Sequence, residues 1–164
     1  MKKLVPLGLG LLWLPLAHAQ PLTGFKRAFS DNATWDISSP AGKMVLRRQF
    51  SDGSSWAVRA AGKTYHIRRT FGDDSEWQVA ETGTSLHQAY RNDNSEWRVQ
   101  RGRQALSLRD RYKDGAQWDA DAFVITRKFS DGSDWAIEDQ AKAQPLDVKL
   151  LLVFAALHSQ TGPR

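Results

Sequence analysis

The chain has 164 residues, 41% of them hydrophobic and 25% charged. That is enough for one domain, and too rich in aromatic and β-branched residues to remain disordered. It has no cysteine, which excludes a disulfide framework, a thiolate metal site and a lipoprotein anchor, and its formal charge is +5.

Part of that charge sits at the N-terminus. Residues 1–19 read Met1-Lys2-Lys3, an apolar run from Leu4 to Leu16, then Ala17-His18-Ala19. A basic start, a short greasy middle and small residues at the −3 and −1 positions make the plan of a secretory signal, with the cut after Ala19. The run is interrupted by Pro6 and Pro15 and is shorter than the roughly 20 residues that span a bilayer. The expected location is therefore periplasmic or secreted, with residues 20–164 forming one domain. Removing Lys2 and Lys3 lowers Lys+Arg from 23 to 21 against 18 acids, a net charge of +3. A bias that mild does not point to nucleic acid.

From residue 29 onward the chain repeats itself. Phe29-Ser-Asp-Asn-Ala-Thr-Trp35 is followed by Phe50-Ser-Asp-Gly-Ser-Ser-Trp56 and Phe71-Gly-Asp-Asp-Ser-Glu-Trp77. Tyr90 to Trp97, Tyr112 to Trp118 and Phe129 to Trp135 complete six copies, and the tryptophans step by 21, 21, 20, 21 and 17 residues. A repeat of this length is a supersecondary unit.

Each unit reads as two strands. Trp-x-Val and its variants alternate apolar and polar, the period of a half-buried strand. The segment before each turn is also strand-like; Tyr65, Ile67 and Phe71 fall on one parity. Asp-Gly or Asn-rich turns join the aromatic to the Trp, since a tight reversal needs residues that tolerate φ > 0. The fourth turn is one residue longer, which reads as a bulge or a longer loop. At the other end Gly42, Gly62, Gly83 and Gly102 mark the return turns, and the fifth unit has Asp119-Ala-Asp121-Ala instead.

Twelve strands are expected over 22–138: about 22–29, 34–38, 43–50, 55–60, 63–71, 76–81, 84–90, 96–100, 104–112, 117–121, 122–129 and 134–138. Short connections make sequence neighbours antiparallel. Closure removes the two exposed edges, so the fold class is mainly β: a twelve-stranded antiparallel closed barrel built from six hairpin repeats. Trp35, Trp56, Trp77, Trp97, Trp118 and Trp135 are its expected inner wall.

A helix is expected over 145–158. Pro145 suits a first turn and Asp147 the positive end of the dipole. Leu150 to Leu157 holds no polar residue. A helix apolar all round must be buried all round, and twelve strands enclose more space than their own side chains fill. Leu151 and Phe154 are thus expected inside the barrel, and loss of the tail is expected to unfold it.

This plan resembles the LURP-one-related family, which shares it with the tubby C-terminal domain and the phospholipid scramblases. The likeness lies in the recurrent unit seen at Arg127-Lys-Phe129-Ser-Asp-Gly-Ser-Asp-Trp135-Ala-Ile137. It lies also in the close: acidic Glu138-Asp139, a polar linker, then the Leu/Val/Ala-rich helix. It covers about 22–158. The secretory signal and the regular Asp-Gly-Ser turns depart from the family pattern. Tubby-like domains bind phosphoinositide headgroups on basic surface, so the resemblance implies an anionic phospholipid or membrane surface as partner.

The residues themselves offer basic pairs before most of the turns: Lys26-Arg27, Arg47-Arg48, Arg68-Arg69, Arg109-x-Arg111 and Arg127-Lys128. Adjacent strand residues point to opposite faces, so one of each pair is expected to face out. Arg47, Arg48, Arg68, Arg69, Arg127 and Lys128 form the candidate ligand-binding band, because Arg makes bidentate contact with phosphate. The competing reading pairs these arginines with Glu76, Glu81, Glu96 and Asp119 in a cross-strand ladder. His66 is expected on the outward parity, and one Asp per turn is too few for calcium.

No nucleophile elbow, zinc-protease helix or phosphate loop occurs. The expectation is a non-enzymatic barrel with no metal or cofactor, binding anionic lipid headgroups or an apolar ligand. The alternative is a carbohydrate-binding module, a β-trefoil or hairpin-repeat lectin using exposed Trp, or a linear solenoid caging a quaternary ammonium.

Overall fold

Each hairpin turn is held by its aspartate. Asp31, Asp52, Asp73, Asp93, Asp114 and Asp131 each accept a hydrogen bond from the backbone N–H two residues on, at 2.8 to 3.3 Å. This is an Asx turn, the local alternative that Asp offers to a continuing strand. The acid is thereby committed to the turn, six times over.

The computed structural model describes residues 20–161; the expected signal segment and its cut after Ala19 lie outside them. Twelve strands run in chain order: β1 Gly24–Arg27, β2 Thr34–Ser39, β3 Gly42–Arg48, β4 Ser55–Ala60, β5 Lys63–Arg69 and β6 Glu76–Val79. They continue as β7 Ser85–Tyr90, β8 Asp93–Arg101, β9 Gln104–Asp110, β10 Gln117–Ala120, β11 Phe123–Arg127 and β12 Asp134–Asp139, followed by helix α1 Leu146–Thr161. Every strand pairs antiparallel with its sequence neighbour, and β1 pairs with β12 to close the barrel. All twelve strands lie in one closed wall, so the fold is neither a trefoil nor an open row of hairpins.

The extra residue of the fourth unit appears as the expected irregularity: the β7–β8 register shifts between Gln88 and Tyr90. Where the fifth return turn lacks glycine, Asp121 takes the left-handed conformation at φ 48°. Asp does this at lower cost than most residues because its side chain bonds locally.

The six tryptophans line the interior; Trp56, at 6%, is the most exposed of them. Four donate Nε1–H to a carbonyl of their own turn three residues back: Trp35 to Asn32, Trp56 to Gly53, Trp77 to Asp74 and Trp135 to Gly132. Each of these indoles therefore packs the core with its rings and ties down its turn with its polar edge.

Helix α1 fills the lumen. Leu150 to Leu157, including Leu151 and Phe154, are each 0–1% exposed. Phe154 meets Trp77 edge-on at 4.8 Å and Trp56 at 5.9 Å. Full burial of a Leu or Phe side chain stabilises by ~1.5–3 kcal/mol, so eight buried apolar residues contribute on the order of ten kcal/mol or more in gross terms. The helix runs three residues past the expected end at 158.

Its two ends are anchored differently. Asp147, 3% exposed, accepts hydrogen bonds from Thr84 Oγ1 at 2.5 Å and Arg101 Nε at 3.2 Å. Lys149 donates to Asp139 at 2.7 Å. At the C-terminal end Trp97 Nε1 donates to Ser159 Oγ at 2.9 Å, and Gln160 Nε2 donates to the Gly115 carbonyl at 3.2 Å.

One feature of the strands differs from expectation. The odd-numbered strands other than β7 end earlier than the apolar pattern suggested: β5 stops at Arg69, and Phe71 stands beyond it. The inward position of β5 nearest the mouth is Arg69, which sits directly across from Trp77. Past that layer the wall no longer faces the apolar stretch of the helix, so the aromatic has no core to enter.

Candidate functional site

The six Asx turns connect odd strands to the even strands that follow, so antiparallel order places all six at one end of the barrel. The helix C-terminus reaches the same end, through its bonds to Trp97 and Gly115 in the fourth and fifth hairpins. Around this mouth stand Phe29, Phe50, Phe71, Tyr90, Tyr112 and Phe129, each between 58% and 66% exposed. They are the large exposed apolar side chains of the described residues. Isolated surface hydrophobics need no explanation, but six at equivalent places on one rim do. We refer to them as the crown. The sequence signal for it was present: each aromatic precedes its turn aspartate by the same two or three residues, and all but Tyr90 lie outside the strand that their parity seemed to extend.

Inside the crown lies a second ring. The residues directly opposite the six tryptophans are Arg27, Arg48, Arg69, Gln88, Asp110 and Arg127. Opposed residues on an antiparallel pair share a face, so these side chains turn inward with the indoles. Arg27 donates to Asn32 and Arg69 to Asp74, both at 2.9 Å, each within its own hairpin. Arg127 reaches Gln160 of the helix at 3.5 Å. Arg48 forms no ion pair among the described residues. Four arginines thus share the layer of the tryptophans, and one of them, Arg127, reaches the negative end of the helix dipole, where cations are favoured.

The candidate band divides accordingly. Arg48, Arg69 and Arg127 face in, while Arg47 and Arg68 face out, opposite Thr34 and Ser55. Lys128 lies past the end of β11 and pairs with Asp134 at 3.2 Å. Arg47 also helps line a hollow of about 590 Å³ on the outer wall, with Arg59 and His66. The cross-strand ladder forms in part. Arg109 meets Glu96 at 3.2 Å and Arg111 meets Asp119 at 3.4 Å. Glu81 instead takes His66, at 2.5 Å from Nδ1. Glu76 forms no ion pair among the described residues.

The mouth is not a positive patch. Across the six hairpin ends (residues 26–34, 47–55, 68–76, 88–96, 109–117 and 126–134) twelve Lys and Arg stand among eleven Asp and Glu. Hydrogen bonds from Ser54, Ser75, Ser95 and Ser133 hold the Asp52, Asp73, Asp93 and Asp131 carboxyls below their ordinary value. These turns stay anionic well into the acid range.

Two other expectations meet the geometry here. The indoles are buried, so none offers a face to a sugar or a quaternary ammonium. The lumen, where an apolar ligand was one expectation, is occupied by α1. Among the described residues no helix is long and apolar enough to cross a membrane, and no group of three metal-ligating side chains assembles. No known family, curated protein or solved structure matches the chain.

Proposed function

We propose that this protein is a non-enzymatic barrel that docks by its crown on a lipid surface. The observation that carries the reading is the ring of six exposed Phe and Tyr on one rim. Six hairpins put their aromatics on one rim, which makes an annulus suited to a flat interface rather than a socket for a single molecule. Aromatic rings favour the headgroup level of a bilayer. Partial burial of several of them supplies affinity in proportion to the apolar area removed from water. On this reading the outward Arg47 and Arg68, with Lys128, contribute contacts to phosphate oxygens. The near-balance of charge assigns the larger share of the binding to the aromatics. With residues 1–19 as an export signal, the membrane is met from outside the cytoplasm. The likeness to the LURP-one-related and tubby-like plan supports a lipid partner, though here the aromatics carry more of it than basic surface does.

The test is vesicle co-sedimentation with phosphatidylcholine alone and with added anionic lipid. The triple variant Phe50→Ser, Phe71→Ser, Phe129→Ser is expected to lose about tenfold or more in binding while its circular dichroism is unchanged, because all three side chains are exposed. Molar salt is expected to weaken binding less than the triple variant does. Undiminished binding by the triple variant, or complete loss in salt, overturns the aromatic reading. Retention on a glycan array without vesicle binding assigns the crown to sugars instead.

A further inference from the structure

The fifth hairpin breaks the pattern of the inner ring. Where Arg27, Arg48, Arg69 and Arg127 stand in four other hairpins, it carries Asp110. One oxygen of that carboxylate accepts the Gly115 N–H at 2.8 Å; the other, Oδ1, is buried and unpartnered. Trp118, opposite Asp110, also departs from its counterparts. Trp35, Trp56, Trp77 and Trp135 donate Nε1–H to their own turns, and Trp97 donates to Ser159. Trp118 is 1% exposed and its Nε1–H has no acceptor. Buried polar groups in folded proteins are almost always paired, so a neighbouring orphan acceptor and orphan donor call for a specific reason.

Both residues line the same cavity, of about 340 Å³, at the mouth between the fifth hairpin and the helix end. Its wall includes Lys113, Asp114, Ser159 and Gln160. Lys113 forms no ion pair among the described residues. The cavity wall therefore contains a carboxylate oxygen, closed to water, beside the negative end of a helix, which favours a cation. It also offers an indole N–H and an ammonium, which favour an oxyanion.

We propose that this cavity binds a zwitterion made of a primary ammonium joined to a phosphate, the chemistry of ethanolamine phosphate. The ammonium donates to Asp110 Oδ1 and occupies the place that a guanidinium takes in four of the other hairpins. The phosphate accepts from Trp118 Nε1–H and pairs with Lys113. On a membrane the source is an aminophospholipid headgroup; in solution it is the free phosphoester. The inference deepens the docking reading and rests on it only for the membrane source.

The probe is free O-phosphoethanolamine, titrated against the full mature chain and followed by the Trp118 indole N–H resonance. A saturable shift of that resonance is expected. Phosphocholine, which has no ammonium N–H, is expected to bind at least tenfold more weakly, as is the Asp110→Asn variant. Asp110→Arg restores the ring residue of the other hairpins and is expected to abolish binding in a folded protein. Trp118→Phe removes a donor that has no partner in the free protein, so it is expected to keep the fold and weaken binding about tenfold. An unmoved Trp118 resonance at millimolar ligand overturns the site, as does equal binding of phosphocholine or undiminished binding by Asp110→Arg. Vesicles separate the two readings. If the free ligand binds and vesicles containing phosphatidylethanolamine do not, the site stands and crown docking fails. If vesicles bind equally with and without phosphatidylethanolamine and the free ligand does not bind, the crown stands and the site fails.

Discussion

Lys149 Nζ lies 2.7 Å from Asp139 Oδ2, and both side chains are 1% exposed. This pair joins the first turns of the plug to the last strand of the barrel. Asp139 also accepts the Leu22 N–H at 2.8 Å and the Ala141 N–H at 3.1 Å, so its oxygens are satisfied on several sides. Removing one member leaves the other charged and buried, which typically costs ~3–5 kcal/mol. Lys149→Met and Asp139→Leu are each expected to show that loss in urea unfolding. The double variant is expected to be more stable than the sum of the two losses predicts, because no unpaired charge remains, though the Leu22 and Ala141 N–H groups still lose their acceptor. Additive losses would mean that the two side chains do not depend on each other.

His158 closes the other end of the plug. Its ring stacks on Phe154 at 5.6 Å and meets Trp77 edge-on at 5.0 Å. Burial pushes its pKa below the ordinary value of 6.5. The unfolded chain therefore takes up a proton at this position before the folded protein does. Stability from this group is complete above about pH 6.5 and declines as the pH falls toward the folded value. His158→Leu is expected to flatten the fall in melting temperature between neutral and mildly acid pH. An unchanged slope would exclude His158 as its source.

Gly24 sits on the strand that closes the barrel. A Cβ built there would stand 2.6 Å from the Trp135 carbonyl oxygen, on the backbone of β12. A backbone atom in a paired strand has little room to give. Gly24→Ala is expected to cost ~1–3 kcal/mol, the range for overpacking, read as a lower urea midpoint.

Ala61 occupies the left-handed region at φ 46°, just before Gly62 at φ 77°. Two successive positive φ values are the geometry that Asn-Gly satisfies best. The residue is exposed, so nothing else restrains it. Ala61→Asn is expected to stabilise by about 1 kcal/mol, measured as a raised urea midpoint with no change in slope.

The barrel was legible because its signals are redundant. Six tryptophans recurring every 17 to 21 residues, each followed by an alternating strand, permit few arrangements, and an unbroken apolar stretch from Leu150 to Leu157 has one dry place to go. The crown was not legible, because parity alone carries no information about where a strand stops. Phe71 shares a parity with Tyr65 and Ile67, yet the intervening Arg69 already marks the last layer that faces the interior. The basic pairs were legible as residues but not in their division: pairing across the strands turns Arg48, Arg69 and Arg127 inward and Arg47 and Arg68 outward. The cavity of the fifth hairpin had a trace in the sequence, since Asp110 stands where aligned repeats carry Arg. The trace gains meaning only when Trp118 is seen opposite it without a partner.

The seam between β1 and β12 joins Gly24 to Ala136, over a hundred residues away along the chain, and the rod it encloses comes later still. During synthesis most of the ribbons exist before their common filling does. Until the last turns of α1 emerge, the indoles have only each other to pack against. Such long-range pairing is intrinsically slow to form. The molecule is thus committed to assembling late and all at once, and any length of it short of the rod is a sheet with its oily side uncovered.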